Sequence, residues 1–362
     1  MNDLAANPPR DYSLTGPEAR RAAERGLVSA EWYHSQVPRK AMKALMQRHD
    51  GPAIRDTLIW LALLVLSGAW GVVFWGQWQA WVCFAVYGVL YGSACDSRWH
   101  ECGHGTAFRT PWMNDAVYHI ASVMVMRNPV SWRYSHARHH TDTIIVGRDP
   151  EIALMRPADL ARGALHFIGL PDVFAHFAVL LRNAFGRFGG GELDYIPPTE
   201  VPRAVFWARV HVAIQGTAVV WAGAAGSVVP LLLIGGPRIY GCWHMVMTGL
   251  LQHGGLAEDV LDHRLNSRTV LMNPISRWIY WNMNYHVEHH MFPMVPYHAL
   301  PELHALIAQD LPAPERSIPQ AYAQMVRALW RQRGDPGFTL PRRLPATAQP
   351  FRAELHDMAG AR

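Results

Sequence analysis

Eight histidines fall into three tight clusters: His100-Glu101-Cys102-Gly103-His104, His136-Ala137-Arg138-His139-His140 and His286-Val287-Glu288-His289-His290. With 20 His in 362 residues, chance would supply roughly 0.06 strings of the form His-x-x-His-His. The chain carries that string twice. On a helix, positions three and four apart share a face, so each cluster can present its imidazoles in one direction. Eight candidate nitrogens exceed what one transition metal takes, and two metals are implied. Imidazoles without thiolates are compatible with zinc, copper, nickel or iron. Zinc fits less well, because structural zinc closes with four ligands and catalytic zinc needs only three from the protein. A clustered pair with open positions facing lipid suits iron and O2.

A lone His-x-x-x-His pair on an amphipathic helix is usually structural, but three clusters beside membrane-like segments are not explained that way. His100-Glu101-Cys102-Gly103-His104 also has the form of a zinc-protease helix, yet such a protease has no use for the other two clusters. Glu101, Asp142, Asn284 and Glu288 adjoin candidate ligands. They could orient imidazoles as acceptors or could be ordinary polar-face residues. His119, His166, His176, His211 and His244 stand singly on apolar stretches and read as core or interfacial histidines. His298 and His304 lack ligand spacing.

The elements that must position these clusters are apolar. Segments 57–75 and 80–96 read as a helical hairpin long enough to cross a bilayer, and Trp75, Trp78 and Trp81 at its turn form an interfacial belt. Segments 210–228 and 230–251 read as a second pair, weakened at Gly235-Gly236-Pro237-Arg238. A shorter helix is expected at 112–126, an amphipathic piece at 165–181, and an interfacial helix around 37–47. Residues 1–54 form a cytosolic N-terminal segment, 55–330 the membrane domain with its cap, and 331–362 a polar tail.

Basic residues flank the spans on one side: Arg39, Lys40, Lys43, Arg48 and Arg55 before the first, Arg98 and Arg109 after the second. Arg203 and Arg209 precede the third, and Arg264, Arg268 and Arg277 follow the fourth. Only Arg238 falls at a far-side turn. The positive-inside rule then places all three clusters on the cytoplasmic face, with a bacterial inner membrane as the expected location.

Net charge is +5, the isoelectric point about 9.1 and mean hydropathy −0.02. The basic balance is read as contact with anionic lipid headgroups. No basic stripe interleaved with aromatics suggests nucleic-acid binding. Cys83, Cys95, Cys102 and Cys242 form no CxxC pair, which fits a reducing compartment. No cleaved signal peptide is expected at the N-terminus.

From about Trp99 to Leu306 the chain resembles the membrane fatty acid desaturase family, whose members carry HxxxH, HxxHH and a late HxxHH box. The flanking text HARHHTDT at 136–143 and HHMFPMVPYHALPEL at 289–303 is also similar. The resemblance implies an all-α membrane protein, with four transmembrane helices below a cytosolic helical cap that holds a histidine-ligated dimetal site. It also implies a ninth ligand, a lone histidine before the last box, here His253; some members have an Asn one turn earlier, where this chain has Gly249. Trp132, Trp278 and Trp281 become candidate walls of an acyl channel.

The implied reaction is O2-dependent desaturation of a fatty acid or fatty acyl chain at two Fe ions, ferrous in the reduced state. Oxidative decarboxylation of free fatty acids to terminal alkenes and acyl or hydrocarbon hydroxylation are alternatives, since similar scaffolds support them. A metal transporter is a remote alternative, because the first two spans lack charges to line a path. No heme or flavin motif is evident, so a separate electron donor is expected: ferredoxin, rubredoxin or cytochrome b5, with a reductase.

Overall fold

The computed structural model describes residues 10–346, 348 and 351–355. Among these residues the chain is helical, with only two isolated bridges, Thr269 to Tyr285 and Val270 to Glu315. Helix α1 (Asp50–Val73) is 24 residues long, about 36 Å at 1.5 Å per residue. Gly76, at φ 89°, turns the chain into α2 (Trp78–Val89). A π-helical turn, Leu90–Ala94, joins α2 without a break to α3 (Cys95–Gly103). His100 therefore stands about 33 Å along the run from Trp78, just beyond a hydrocarbon thickness of about 30 Å.

The hairpin's outer surface is apolar and open. Trp78 and Trp81 are each 71% exposed, and Leu58, Val65, Leu66 and Val73 are exposed as well. So large an exposed apolar face needs another medium to cover it. Among the described residues, one helical stretch, Arg39–Val73, is long and apolar enough by itself to cross a membrane. The pair α6 (Leu160–His166) and α7 (Leu170–Ala184) passes only when joined across a bend of 79°; it holds the expected amphipathic piece.

The second expected pair of spans differs from the reading of the sequence. Helix α8 (Val201–Ala225) has the length but carries Arg209, His211 and Gln215. Segment 230–251 is not one helix. It divides into α9 (Val229–Leu233), α10 (Pro237–Tyr240) and α11 (Trp243–His253). Gly235, at φ 78°, and Pro237 break it. Arg238 does not mark a far-side turn, because its Nη1 donates to the Gly92 carbonyl at 2.7 Å, beside the π-turn that leads to His100. Gly92 and Gly241 let the two backbones meet: a Cβ on Gly92 would stand 2.6 Å from the Pro237 oxygen.

Three charges expected at the headgroups are interior instead. Arg98 is fully buried, its guanidinium 4.8 Å from the ring centroids of Trp278 and Trp281, and it donates to the Ile279 carbonyl at 3.0 Å. Arg264 and Arg268 are buried on ion pairs with Asp262 and Glu315. Helix α4 (Pro111–Val125) occupies the expected 112–126 segment, and a short helix, Arg39–Leu45, lies before α1. Asp50 joins the two ends of this layer by accepting from Thr110 N at 2.9 Å and Thr110 Oγ1 at 2.7 Å. After the last long helix (Ile318–Arg331) the chain is irregular but held, with Arg342 paired to Glu315; residues 356–362 lie outside the described set.

Candidate metal centre

Four elements deliver the imidazoles. Helix α3 and its cap bring His100 and His104. Helix α5 (Pro129–Thr141), whose Asn128 N-cap accepts from Val130 N and Ser131 N, brings His136, His139 and His140. His253 ends α11. A helix of six residues, His286–Met291, brings the third cluster. The nine histidines form two groups: His100, His104, His136, His140 and His289 in one, and His139, His253, His286 and His290 in the other. Within each group the ligand atoms all lie within 4.8 Å of one another.

The spacing inside the groups suits a central cation. His100 Nε2 is 2.9 Å from His289 Nε2 and 3.0 Å from His136 Nε2. In the other group His286 Nε2 is 3.1 Å from His253 Nε2 and 3.0 Å from His290 Nε2. Nitrogens about 2.1 Å from an ion and at right angles to each other would be about 3.0 Å apart. The donor set fits two metal ions, one per group.

Electrostatics prepares the rings for that role. Burial pushes His104 down to about 4 and His253 to about 3, and it holds His100, His136, His140, His286, His289 and His290 well below the ordinary imidazole range. Neighbouring imidazoles add to the depression. Neutral rings keep the lone pair a metal needs. His139 departs from this: burial lowers it, but the Asp149 charge and hydrogen bond more than offset that and raise it.

The far nitrogens are tethered. His136 Nδ1 donates to Glu151 Oε2 at 2.8 Å and His139 Nδ1 to Asp149 Oδ2 at 2.8 Å. His253 Nδ1 donates to the Asn266 carbonyl at 2.8 Å, and Thr143 Oγ1 lies 3.2 Å from His290 Nδ1. Such partners fix the tautomer that turns Nε2 inward. Asp149 is itself held, accepting from Ile144 N and Glu151 N at 2.8 Å each.

Among the described residues, none of the four polar residues singled out from the sequence hydrogen-bonds a cluster imidazole. Glu101 accepts from Thr106 Oγ1 at 2.7 Å and Tyr297 N at 3.0 Å, and burial pushes its carboxyl up to about 7. Asp142 pairs with Arg148 at 3.0 Å. Asn284 donates to the Val270 carbonyl at 2.9 Å. Glu288 accepts from Thr269 Oγ1 at 2.6 Å and from His304. For Glu101 and Glu288 the reason is helical phase, since a residue next to a cluster histidine points about 100° away from it; Asp142 and Asn284 stand outside the helices that carry the clusters. Asp149 and Glu151 serve instead because the loop after α5 folds back, with Ile144 at φ 56° and Gly147 at φ 78°. Their one sequence signal is Asp149-Pro150-Glu151 shortly after the second cluster.

Of the other predicted residues, Trp132 stacks on His136 with centroids 4.4 Å apart, while Trp278 and Trp281 enclose Arg98. His119, His166, His176, His211, His244, His298 and His304 belong to neither group. A cavity of about 690 Å³ reaches both groups, touching His100 and His136 of one and His139, His253 and His286 of the other. Ile144, Leu154, Val246 and Leu250 give it apolar walls.

Comparison with known proteins finds relatives named as fatty acid desaturases and a fatty acid conjugase. An omega-3 fatty acid desaturase of the chloroplast from Sesamum indicum is 23% identical over 276 residues, covering 70% of this chain and 60% of that protein. A fatty acid conjugase from Calendula officinalis is 23% identical over 292 residues, covering 71% and 75%. An acyl-lipid omega-3 desaturase (cytochrome b5) of the endoplasmic reticulum from Arabidopsis thaliana is 23% identical over 273 residues, covering 68% and 67%. The chain thus spans about three fifths of the length of the sesame protein. The pattern that defines fatty acid desaturases matches residues 76–321, an interval that contains every one of the nine converging histidines, and the chain belongs to the fatty acid desaturase family.

Proposed function

We propose that this chain is an O2-dependent membrane oxidoreductase that desaturates a fatty acyl chain at two irons. His100, His104, His136, His140 and His289 hold one, and His139, His253, His286 and His290 the other. The observation that carries the reading is a single cavity with apolar walls whose lining includes imidazoles of both groups. Bound iron would supply the activation of O2 and the removal of hydrogen from an unactivated methylene.

The chain's own residues do the positioning. Glu151, Asp149 and the Asn266 carbonyl hold three rings in one tautomer, and the two carboxylates offset part of the ions' charge. Trp132 backs the His136 ring and limits its rotation. Ile144, Leu154, Val246 and Leu250 offer an acyl chain a dry path to the nitrogens. Electrons come from a separate donor of the ferredoxin, rubredoxin or cytochrome b5 kind, with its reductase. Exposed Arg39, Lys40, Lys43 and Arg109, gathered at the metal end by the Asp50–Thr110 contact, support a cytoplasmic placement of the centre.

Two measurements test the reading. Purified protein should contain about two irons per chain, and His286→Ala should lose iron. Cells expressing the chain and fed fatty acids should yield products with an internal double bond by gas chromatography. A terminal alkene one carbon shorter would mean decarboxylation, and an added hydroxyl would mean hydroxylation. Iron-free protein whose activity survives alanine at all three clusters would end the proposal.

A further inference from the structure

The cavity that reaches the imidazoles has a second pole. Arg127 and Arg238 line it together with Asp96, His166, Asp172 and His176. Arg238 is only 4% exposed, and its one guanidinium hydrogen bond among the described residues goes to the Gly92 carbonyl. Arg127 is exposed, and neither arginine makes an ion pair among the described residues. A buried guanidinium without an ion-pair partner is costly, and one lodged among apolar helices is a functional site by default.

The other acids of the cavity are already engaged. Glu151 accepts from His136 at 2.8 Å, Asp172 from His166 at 2.9 Å, and Glu258 pairs with Arg156 at 3.1 Å. Asp159 caps its own helix through Arg162 N. Asp96 and Asp172 share this pole with the two arginines, and the charges of both arginines reach Asp96 and His176. No carboxylate of the cavity is ion-paired with Arg238 or Arg127 among the described residues, so a buried guanidinium faces a cavity of acyl dimensions without a direct ion-pair partner.

We propose that Arg238, assisted by Arg127, binds the carboxylate of an unesterified fatty acid whose chain lies along the cavity toward the imidazoles. This rests on the acyl-chain reading above. It commits the substrate class to the free acid, because an ester or thioester carbonyl carries no charge to satisfy a buried guanidinium. Gly92, the anchor of Arg238, stands eight residues before His100 on one continuous helical run, about 12 Å along its axis. The anion pole and the imidazoles are therefore held at a fixed separation by one element.

The test uses the full chain in lipid nanodiscs and the binding of radiolabelled laurate, methyl laurate and the uncharged thioester S-lauroyl-N-acetylcysteamine. Laurate should bind at least about tenfold more tightly than either neutral-headed ligand. Arg238→Gln should abolish that preference while methyl laurate binds as before, and Arg238→Lys should keep part of it. Asp96→Asn, which removes the competing carboxylate, should strengthen laurate binding, and Arg127→Gln should weaken it; these two carry the test if Arg238→Gln does not fold. Equal affinity for all three ligands in the unaltered protein, or an unchanged laurate preference in Arg238→Gln, overturns the carboxylate site and leaves the acyl reading standing. Binding of none of the three overturns both.

Discussion

His136 sits at the busiest point of the centre, with its Nε2 among neighbouring nitrogens, its Nδ1 on Glu151 and its face on Trp132. A restraint of that kind works through metal affinity. Glu151→Ala and Asp149→Ala should each lower iron affinity roughly 10–100-fold, read by chelator competition and metal counting. Glu151→Gln, which retains an acceptor for His136 Nδ1, should lose less. Glu101→Gln and Glu288→Gln should leave affinity unchanged, because those carboxylates bond Thr106, Tyr297, Thr269 and His304. At this scale the histidines that converge are legible in the chain, since i, i+3 and i+4 spacing survives folding wherever a helix forms. Their tethers are not, because Asp149 and Glu151 reach the rings through a loop whose left-handed turns erase any periodic signal.

Between residue and molecule stands the joint where α2, the π-turn and α10 meet. Hydropathy read 230–251 as a span because Gly, Pro and one Arg scarcely dilute its apolar content. The backbone turns there because Gly235 adopts a positive φ, and Gly241 and Gly92 allow two main chains to touch. Gly92→Ala should test this contact. Its Cβ would come within 2.6 Å of the Pro237 oxygen and 2.7 Å of the Gly241 carbonyl carbon, and overpacking of this order costs about 1–3 kcal/mol. The unfolding temperature in detergent should fall accordingly. Gly216→Ala, on α8 with nothing within 4 Å, should be neutral or slightly stabilising. Equal effects from the two substitutions would mean that the close approach does not constrain the fold.

The arrangement of the whole molecule in a membrane turns on charges that sequence alone could not sort. Arg98, Arg264 and Arg268 flank apolar segments as headgroup contacts would, yet each is buried on aromatic rings, carbonyls or carboxylates. A linear chain does not distinguish a solvated arginine from a structural one. The orientation argument therefore rests on the exposed set, Arg39, Lys40, Lys43, Arg55, Arg109, Arg203 and Arg209, and on the aromatic turn at the opposite end of α1 and α2. Both predict that Lys43 and Arg109 share a side and that Gln77 lies on the other. Single cysteines at these positions, in a Cys83→Ser background, report the answer with a membrane-impermeant maleimide. In sealed inside-out vesicles Lys43→Cys and Arg109→Cys should label and Gln77→Cys should not, and right-side-out vesicles should reverse the pattern. Cys95, Cys102 and Cys242 are buried and should stay silent in both. If Gln77→Cys labels together with Lys43→Cys, the hairpin dips into one leaflet without crossing, and the cytoplasmic placement of the metal centre loses its support.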